Sequence, residues 1–195
     1  DALIERVKDA EIVTANYVDF PAHIIDACPK LKYIVVPSVG VEWVNLAHAR
    51  SKGIPVLNCP THNSSAVAEH AIGLFFATQR KYLTANKNVK DGIWDSRGLT
   101  GSELNGKSVL IIGYGNIGKR IEKMISGFDV HCNHINSKTS KQDADELIAK
   151  ADIIFMCIPQ NDETTNFMNE DRIASMKAEA TFINVGRGAT VDEDA

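Results

Sequence analysis

The sequence lacks three features that mark special classes of protein. It has no run near the roughly 20 apolar residues that a membrane span needs, since 75–82 and 153–158 soon meet polar residues. Its first residues, DALIER, do not form a basic and then apolar leader. It has no excess of positive charge, with 21 Lys+Arg against 25 Asp+Glu and a net charge of −4. We therefore expect a soluble, cytoplasmic protein with no membrane or nucleic-acid partner.

Cysteine is scarce, and its spacing does not suggest a metal or disulfide framework. The four cysteines lie 31, 73 and 25 residues apart and form no CxxC pair. Neither a zinc ribbon nor a set of disulfides is indicated by this spacing. We expect small buried thiols in a reducing compartment and no metal site.

Apolar runs of four to seven residues, rich in Val, Ile and Leu, alternate with longer amphipathic stretches. This alternation is typical of a parallel sheet wrapped by helices, so the sequence predicts an α/β fold. Trp94 is expected to pack against a helix. We place the domain boundary at the start of the longest helical stretch, which gives domains over 1–62 and 63–195. Strands are predicted over 12–15, 33–37, 55–58, 108–112, 130–134, 153–158 and 181–185, and helices over 22–27, 45–52, 64–92, 116–127, 143–150 and 169–176.

The strongest motif is a glycine-rich turn between a predicted strand and a predicted helix. The strand 108–112 leads directly into Gly113-Tyr114-Gly115-Asn116-Ile117-Gly118, which is GxGxxG in the context of a dinucleotide-binding fold. Gly113 permits a tight turn, Gly115 lets the backbone approach a pyrophosphate, and Gly118 allows the helix to pack on the strand. The N–H groups and dipole at the helix start favour a phosphate. The motif therefore predicts an NAD(P) site.

The end of the second strand bears on the choice between NAD and NADP. An acidic side chain about 20 residues after the first glycine usually binds the adenosine ribose of NAD. His134 stands 21 residues after Gly113, and it is followed by Asn136, Ser137 and Lys138. These side chains favour a 2′-phosphate and hence NADP. In the alternative, Lys138 is a solvated loop residue and NAD is held through other contacts.

A single arginine follows the last predicted strand. The strand 181–185 leads into Gly186-Arg187-Gly188, at the sheet edge where α/β proteins bind ligands. The flanking glycines allow a sharp turn that would direct the guanidinium towards the crevice. Its planar fork matches a carboxylate with two parallel charge-assisted bonds. Arg187 is a candidate carboxylate-binding residue, although the spacing fits a surface turn equally well.

Further motifs occur in the order found in a known family. They are Ser38-Val39-Gly40-Val41, Gly53-Ile54-Pro55-Val56, Ala66-Val67-Ala68-Glu69-His70, Leu104-Asn105-Gly106-Lys107, Ile158-Pro159 with Glu163-Thr164, and Met176-Lys177. With the glycine turn and the arginine motif, they make nearly the whole chain resemble the D-isomer-specific 2-hydroxyacid dehydrogenases. This family includes phosphoglycerate dehydrogenase, glyoxylate/hydroxypyruvate reductase, D-lactate dehydrogenase and formate dehydrogenase. The motifs are specific for the family and not for one member.

The resemblance implies a fold and a substrate site. The fold is a doubly wound Rossmann sheet that binds NAD(P), plus part of a flavodoxin-like substrate domain, with catalysis in the cleft between them. Arg187 would bind the substrate carboxylate and polarise the keto group. Main-chain N–H groups at Val39 and Gly40 would also hold the carboxylate, and Asn63 is a further candidate for the cleft.

The resemblance also implies a set of cofactor-binding residues. They would contact the pyrophosphate through the helix start, the adenosine through His134 and the segment that begins at Ile158, and the nicotinamide through Val185 and Gly186. The full set is Gly113, Tyr114, Gly115, Asn116, Ile117, Gly118, His134, Ile158, Pro159, Thr164, Val185 and Gly186.

The acid/base that the resemblance implies is a histidine paired with a glutamate, both after the arginine motif. Neither is within this sequence, and His70 and the other five histidines offer no replacement. We therefore expect an interior portion of a longer protein that does not turn over substrate alone. The long helix is where the family usually dimerises, so a homodimer is implied.

The function that we expect is hydride transfer between NAD(P)H and a small 2-oxo acid of the glyoxylate, hydroxypyruvate or phosphohydroxypyruvate class. The product would be a D-2-hydroxy acid. One alternative is a non-enzymatic, dinucleotide-sensing interaction protein of the C-terminal-binding protein type, which shares the glycine turn and the arginine motif. A second alternative is the Rossmann domain of an unrelated reductase or methyltransferase, which would explain the glycines but not Arg187.

Overall fold

The protein folds into two compact units, each built on a parallel sheet. The computed structural model describes residues 2–195. The chain divides after Asn63, and the second unit is Ser64–Ala195. Both units alternate strands and helices, so the α/β prediction is confirmed. None of the helices in residues 2–195 has both the length and the apolar character that crossing a bilayer requires.

The first unit is a small sheet with one central strand. Its parallel strands run in the order β1-β2-β3, and Ile34 and Val36 of the central strand are fully buried. The first helix was not predicted, because six residues are too short to show a helical period. Its Leu3, Ile4 and Val7 pack against the core of this unit. The elements are α1 Ala2–Val7, β1 Ile12–Thr14, α2 Ala22–Asp26, β2 Tyr33–Val36, α3 Leu46–Ser51 and β3 Val56–Asn58.

The second unit contains a larger parallel sheet with helices on both faces. Its strands run in the order β5-β4-β6-β7. Every residue of β6 is buried, as is β4 after its first residue, because both faces of these strands are covered by helices. The elements are α4 Ser64–Gln79, α5 Tyr82–Lys90, β4 Ser108–Ile112, α6 Asn116–Ile125, β5 His131–Ile135, α7 Lys141–Lys150, β6 Ile153–Met156, α8 Glu170–Ser175 and β7 Thr181–Asn184, with short 3₁₀ turns at Ser126–Phe128 and Gly188–Thr190.

The strand order creates a topological switch point in the second unit. The chain leaves β4, places β5 on one side of it, and returns to place β6 on the other side. The connections after β4 and β6 therefore diverge at the carboxyl ends of these strands. Open α/β sheets bind their ligands in the crevice that forms there.

The prediction of one helix over 64–92 is wrong in one respect, because the structure has two helices in this stretch. Helix α4 ends at Gln79 and α5 begins at Tyr82, with Lys81 between them in the left-handed conformation at φ +54°. The backbone of Gly101 lies against the carbonyl of Gln79 so closely that a Cβ at Gly101 would clash with it. The break therefore coincides with a tertiary contact, and no Pro or Gly marks it in the sequence.

The segment after α5 also differs from expectation. Trp94 is 95% exposed, so the prediction that it packs against a helix is wrong for this chain.

Strand β5 ends at Ile135 rather than at the predicted residue 134, because Ile135 is buried and pairs with Ile112.

Candidate active site

The glycine turn fits tightly against the end of β6. Gly113 has φ +96°, and a Cβ there would lie 2.8 Å from Ile158 Cγ2 and 3.0 Å from the Cys157 carbonyl. Its N–H donates to the carbonyl of Ile135 at 2.9 Å. A Cβ at Gly118 would clash with the Gly113 carbonyl. Both outer glycines of the motif are therefore required by packing within the protein.

The middle glycine is different, because it faces open space. Gly115 caps the start of α6, and a Cβ there would meet no atom of the described chain within 4 Å. The first N–H groups of a helix, here those of Asn116, Ile117 and Gly118, have no intrahelical partner. The first turn of α6 carries no acidic side chain. The turn therefore fits a dinucleotide pyrophosphate, which would approach over Gly115.

A thiol stabilises the base of this turn. Cys157 Sγ donates to the Gly113 carbonyl at 2.9 Å. Burial raises the pKa of the Cys157 thiol to about 12. The group is therefore a neutral hydrogen-bond donor at physiological pH and not a nucleophile.

An aromatic stack connects the glycine turn to the end of β5. The rings of Tyr114 and His134 lie 3.9 Å apart and are inclined by 14°. Lys119 Nζ lies 5.8 Å from the Tyr114 ring centre. The Tyr114 hydroxyl bonds to Glu122, and this hydrogen bond raises the pKa of the phenol. His134 itself is exposed. Tyr114 and His134 lie on either side of α6 in the sequence. The fold brings them together at the place where the sequence predicts that the adenosine ribose binds.

The loop after β6 holds three of the predicted cofactor residues. Ile158 is half-buried beside Gly113. The Thr164 hydroxyl donates to the Pro159 carbonyl at 2.6 Å and accepts from the Asn161 N–H at 2.8 Å. Thr164 therefore supports the shape of this loop through contacts within the protein.

The loop that carries Arg187 approaches the same Ile158. A Cβ at Gly186 would lie 2.6 Å from the Ile158 carbonyl oxygen, and the Val185 N–H donates to the Met156 carbonyl at 2.9 Å. Gly186 does not have a positive φ. It is glycine because of this close approach rather than because of the predicted sharp turn. Arg187 is exposed, and its Nη1 donates to the Gly186 carbonyl at 3.1 Å.

In the first unit, the bend after β2 has its carbonyl groups occupied. The Ser38 carbonyl accepts from Cys59 N–H at 3.0 Å. The Val39 carbonyl accepts from Asn58 Nδ2 at 2.8 Å, and the Gly40 carbonyl accepts from Ser38 Oγ at 2.8 Å. Within residues 2–195, no group accepts from the N–H of Val39 or Gly40. These two donors suit an anion such as a carboxylate.

Asn63 has a side-chain oxygen without a partner. Its Oδ1 is buried and receives no hydrogen bond from the part of the chain that the structure describes. Buried polar atoms are nearly always satisfied by protein, water or ligand. This acceptor fits the sequence prediction that Asn63 contacts a substrate.

The structure therefore gathers the predicted cofactor residues and Arg187 at one edge of the second sheet. Sequence reasoning missed three supporting residues, namely Cys157, Asn58 and Asn184. Each acts through a hydrogen bond to a main-chain group distant in sequence or in a loop. A thiol or an amide gives no sequence signal of that role.

The chain is similar to known proteins. The family model for "D-isomer specific 2-hydroxyacid dehydrogenase, NAD binding domain" matches residues 72–195. Glyoxylate reductase from Thermofilum pendens is 33% identical over the whole chain, which covers 62% of that protein. D-3-phosphoglycerate dehydrogenase from Haemophilus influenzae is 34% identical over the whole chain, which covers 50% of it. The chain thus spans between half and two thirds of the length of these relatives.

A solved structure is similar as well. It is an acyclic imino acid reductase in complex with NADPH and D-Arg, with a TM-score of 0.91 and 29% sequence identity. The match covers 98% of this chain and 64% of that one. The likeness extends over both units of the chain.

Proposed function

Because the chain belongs to the D-isomer-specific 2-hydroxyacid dehydrogenase family, we propose that the full protein reduces a small 2-oxo acid with NAD(P)H. The product is a D-2-hydroxy acid, and the substrate belongs to the glyoxylate, hydroxypyruvate or phosphohydroxypyruvate class. One observation carries the proposal. The glycine turn and the arginine loop both approach Ile158, at 2.8 Å for a Cβ on Gly113 and 2.6 Å for one on Gly186. This proximity supports the proposal that the nucleotide and the substrate carboxylate bind next to each other at this edge of the sheet.

The proposed roles follow from the geometry of each unit. The second unit is the cofactor domain, and the bound dinucleotide supplies the hydride. Arg187 binds the substrate carboxylate with its planar fork and orients the keto carbon. The first unit is part of the substrate domain, where the N–H groups of Val39 and Gly40 suit a carboxylate and Asn63 Oδ1 suits a hydroxyl donor.

The test uses the full-length protein and follows oxidation of NADH and of NADPH. Each nucleotide is offered with glyoxylate, hydroxypyruvate, phosphohydroxypyruvate and pyruvate in turn. We expect turnover with at least one acid, and we expect residues 1–195 alone to bind the nucleotide without turnover. Nucleotide binding with no turnover for any pair in the full-length protein would contradict the dehydrogenase. It would instead favour the dinucleotide-sensing alternative, which no observation here supports.

We propose that NADPH is the preferred cofactor. His134 is exposed beside the glycine turn, and the Lys138 N–H donates to Asn136 Oδ1 at 2.9 Å in the tight loop that follows. No carboxylate is present from His134 to Lys138 to accept from a ribose hydroxyl. The similar imino acid reductase was solved with NADPH.

We expect His134→Asp to lower the ratio of kcat/KM with NADPH to kcat/KM with NADH by about tenfold or more. The new carboxylate would repel a 2′-phosphate and accept from a ribose hydroxyl, a bond to a charged group worth roughly 1.5–3 kcal/mol. Initial rates with both nucleotides measure the ratio. Asn136→Asp is the matched variant, because β5 ends at Ile135 and residue 136 follows it directly. A shift seen only with Asn136→Asp would exclude His134 as the determinant.

We also propose that the protein is a homodimer that buries the apolar surface at α5 and the segment after it. Leu83 is 78% exposed and Trp94 is 95% exposed, and Tyr82, Val89 and Ile93 are exposed as well. Several large exposed apolar side chains within 13 residues of sequence favour a protein interface here. Sedimentation of the full-length protein and of Leu83→Glu checks this, since a dimeric mass that survives the substitution would place the interface elsewhere.

The four cysteines, free in the described residues, suit the cytoplasmic location that the sequence predicts.

A further inference from the structure

The side-chain amide of Asn184 makes two hydrogen bonds to the main chain around Arg187, and we call this pair of bonds the bracket. Asn184 Oδ1 accepts from the Gly186 N–H at 2.8 Å, and Asn184 Nδ2 donates to the Arg187 carbonyl at 2.9 Å. An amide is suited to this because it carries an acceptor and a donor on the same carbon. The two bonds fix the peptide unit that precedes Gly186 and the peptide unit that follows Arg187.

A buried hydroxyl reinforces the same carbonyl. Thr190 is completely buried. Its hydroxyl donates to the Arg187 carbonyl at 2.5 Å, and its N–H donates to that carbonyl at 3.2 Å. The Arg187 carbonyl therefore accepts three hydrogen bonds from two residues. The main chain of Arg187 is thus firmly held, while its side chain is exposed.

The bracket also connects the loop to the rigid sheet. Asn184 is the last residue of β7 and pairs with Met156 of β6, whose side chain is fully buried. The position of Asn184 is thus set by the core, and its amide transmits that position to the loop. A long side chain reaches a defined point only if its Cα is fixed.

From these contacts we propose that Asn184 and Thr190 are positioning residues that fix the main chain of Arg187 for binding the substrate carboxylate. The inference rests on the proposed function of Arg187. Neither residue needs to touch the substrate. Their effect is on the placement of the guanidinium, and a misplacement of about 1 Å can cost on the order of 100-fold in rate.

The test is a double-mutant cycle in the full-length protein. Asn184→Ala removes both bonds of the bracket and is expected to lower kcat/KM for the 2-oxo acid by about 10- to 100-fold. In an Arg187→Leu background the same substitution is expected to have no further effect, because there is no guanidinium left to position. The Kd for NADPH is expected to change much less than kcat/KM, because the bracket touches the predicted cofactor site at Gly186 but not at the glycine turn.

A second pair of variants keeps the test valid if Asn184→Ala fails to fold. Thr190→Val removes the hydroxyl at nearly constant volume, and Thr190→Ser retains it. Thr190→Val is expected to raise the KM for the 2-oxo acid and the Kd for oxamate, a carboxylate inhibitor, several-fold, whereas Thr190→Ser is expected to match the wild type in both.

Three outcomes would overturn the inference. If Asn184→Ala lowers kcat/KM equally in the wild-type and Arg187→Leu backgrounds, the bracket only stabilises the fold. A loss of NADPH affinity as large as the loss of kcat/KM would lead to the same conclusion. Equal effects of Thr190→Val and Thr190→Ser would exclude the hydroxyl. A wild-type kcat/KM for Arg187→Leu is a distinct result, because it would refute the proposed role of Arg187 itself.

Discussion

Replacing Arg187 with lysine in the full-length protein is expected to lower kcat/KM for the 2-oxo acid by about 100-fold. Lysine keeps the positive charge but presents a point charge in place of a planar fork, so one of two parallel bonds to the carboxylate is lost. A hydrogen bond to a charged group contributes roughly 1.5–3 kcal/mol, which corresponds to about 10- to 150-fold. Steady-state kinetics with saturating nucleotide measure the change.

The control for this substitution is Arg97→Lys. Arg97 is an exposed loop residue that pairs with Asp95, and we expect its replacement to leave the kinetics unchanged, because a solvent-exposed ion pair contributes little. The NADPH affinity of Arg187→Lys is expected to stay near the wild-type value. Wild-type kcat/KM in Arg187→Lys would exclude two-point carboxylate binding by this residue.

Gly115→Ala is expected to weaken NADPH binding by about tenfold or more while leaving the thermal stability nearly unchanged. In the structure a Cβ at this position meets no atom of residues 2–195 within 4 Å, and the backbone at φ −89° is open to any residue. The methyl group would therefore obstruct only a pyrophosphate that lies against the turn. Fluorescence titration with NADPH and a melting curve of the free protein measure the two effects.

Gly118→Ala is the matched variant, because it introduces the same methyl group where the protein has no room. The new Cβ would clash with the Gly113 carbonyl, so we expect a loss of about 1–3 kcal/mol of stability together with the loss of binding. An equal fall in melting temperature for the two alanines would contradict the distinction between them. It would mean that Gly115 also serves the packing of the turn.

The sequence predicted the elements whose signals are local. Strands β4 and β6 were found because they are buried on both faces and read as uninterrupted apolar runs. The glycine turn was found because its glycines, strand and helix follow one another directly. The structural roles predicted for Gly113 and Gly118 are also confirmed, because both glycines are constrained by packing within the protein.

Features that depend on distant contacts were not predictable. The break between α4 and α5 lies where the backbone of Gly101, some 20 residues further along the chain, packs against the end of α4. The partnership of Asn184 with the Arg187 carbonyl arises from side-chain rotamers in a loop. The stack of Tyr114 on His134 requires β4 and β5 to be adjacent and in register. None of these leaves a periodic pattern in the sequence.

The crowding around Ile158 limits how this crevice can be redesigned. Two glycines, Gly113 and Gly186, press on this one residue from neighbouring strands. A larger side chain at residue 158 would press on the glycine turn, because Gly113 lies against Cγ2 of Ile158, whereas Gly186 lies against the main chain of Ile158. A side chain at position 186 would in turn collide with the main chain of residue 158 whatever residue stands there. An engineer who wants to change the cofactor without disturbing either glycine should therefore begin on the exposed residues after β5.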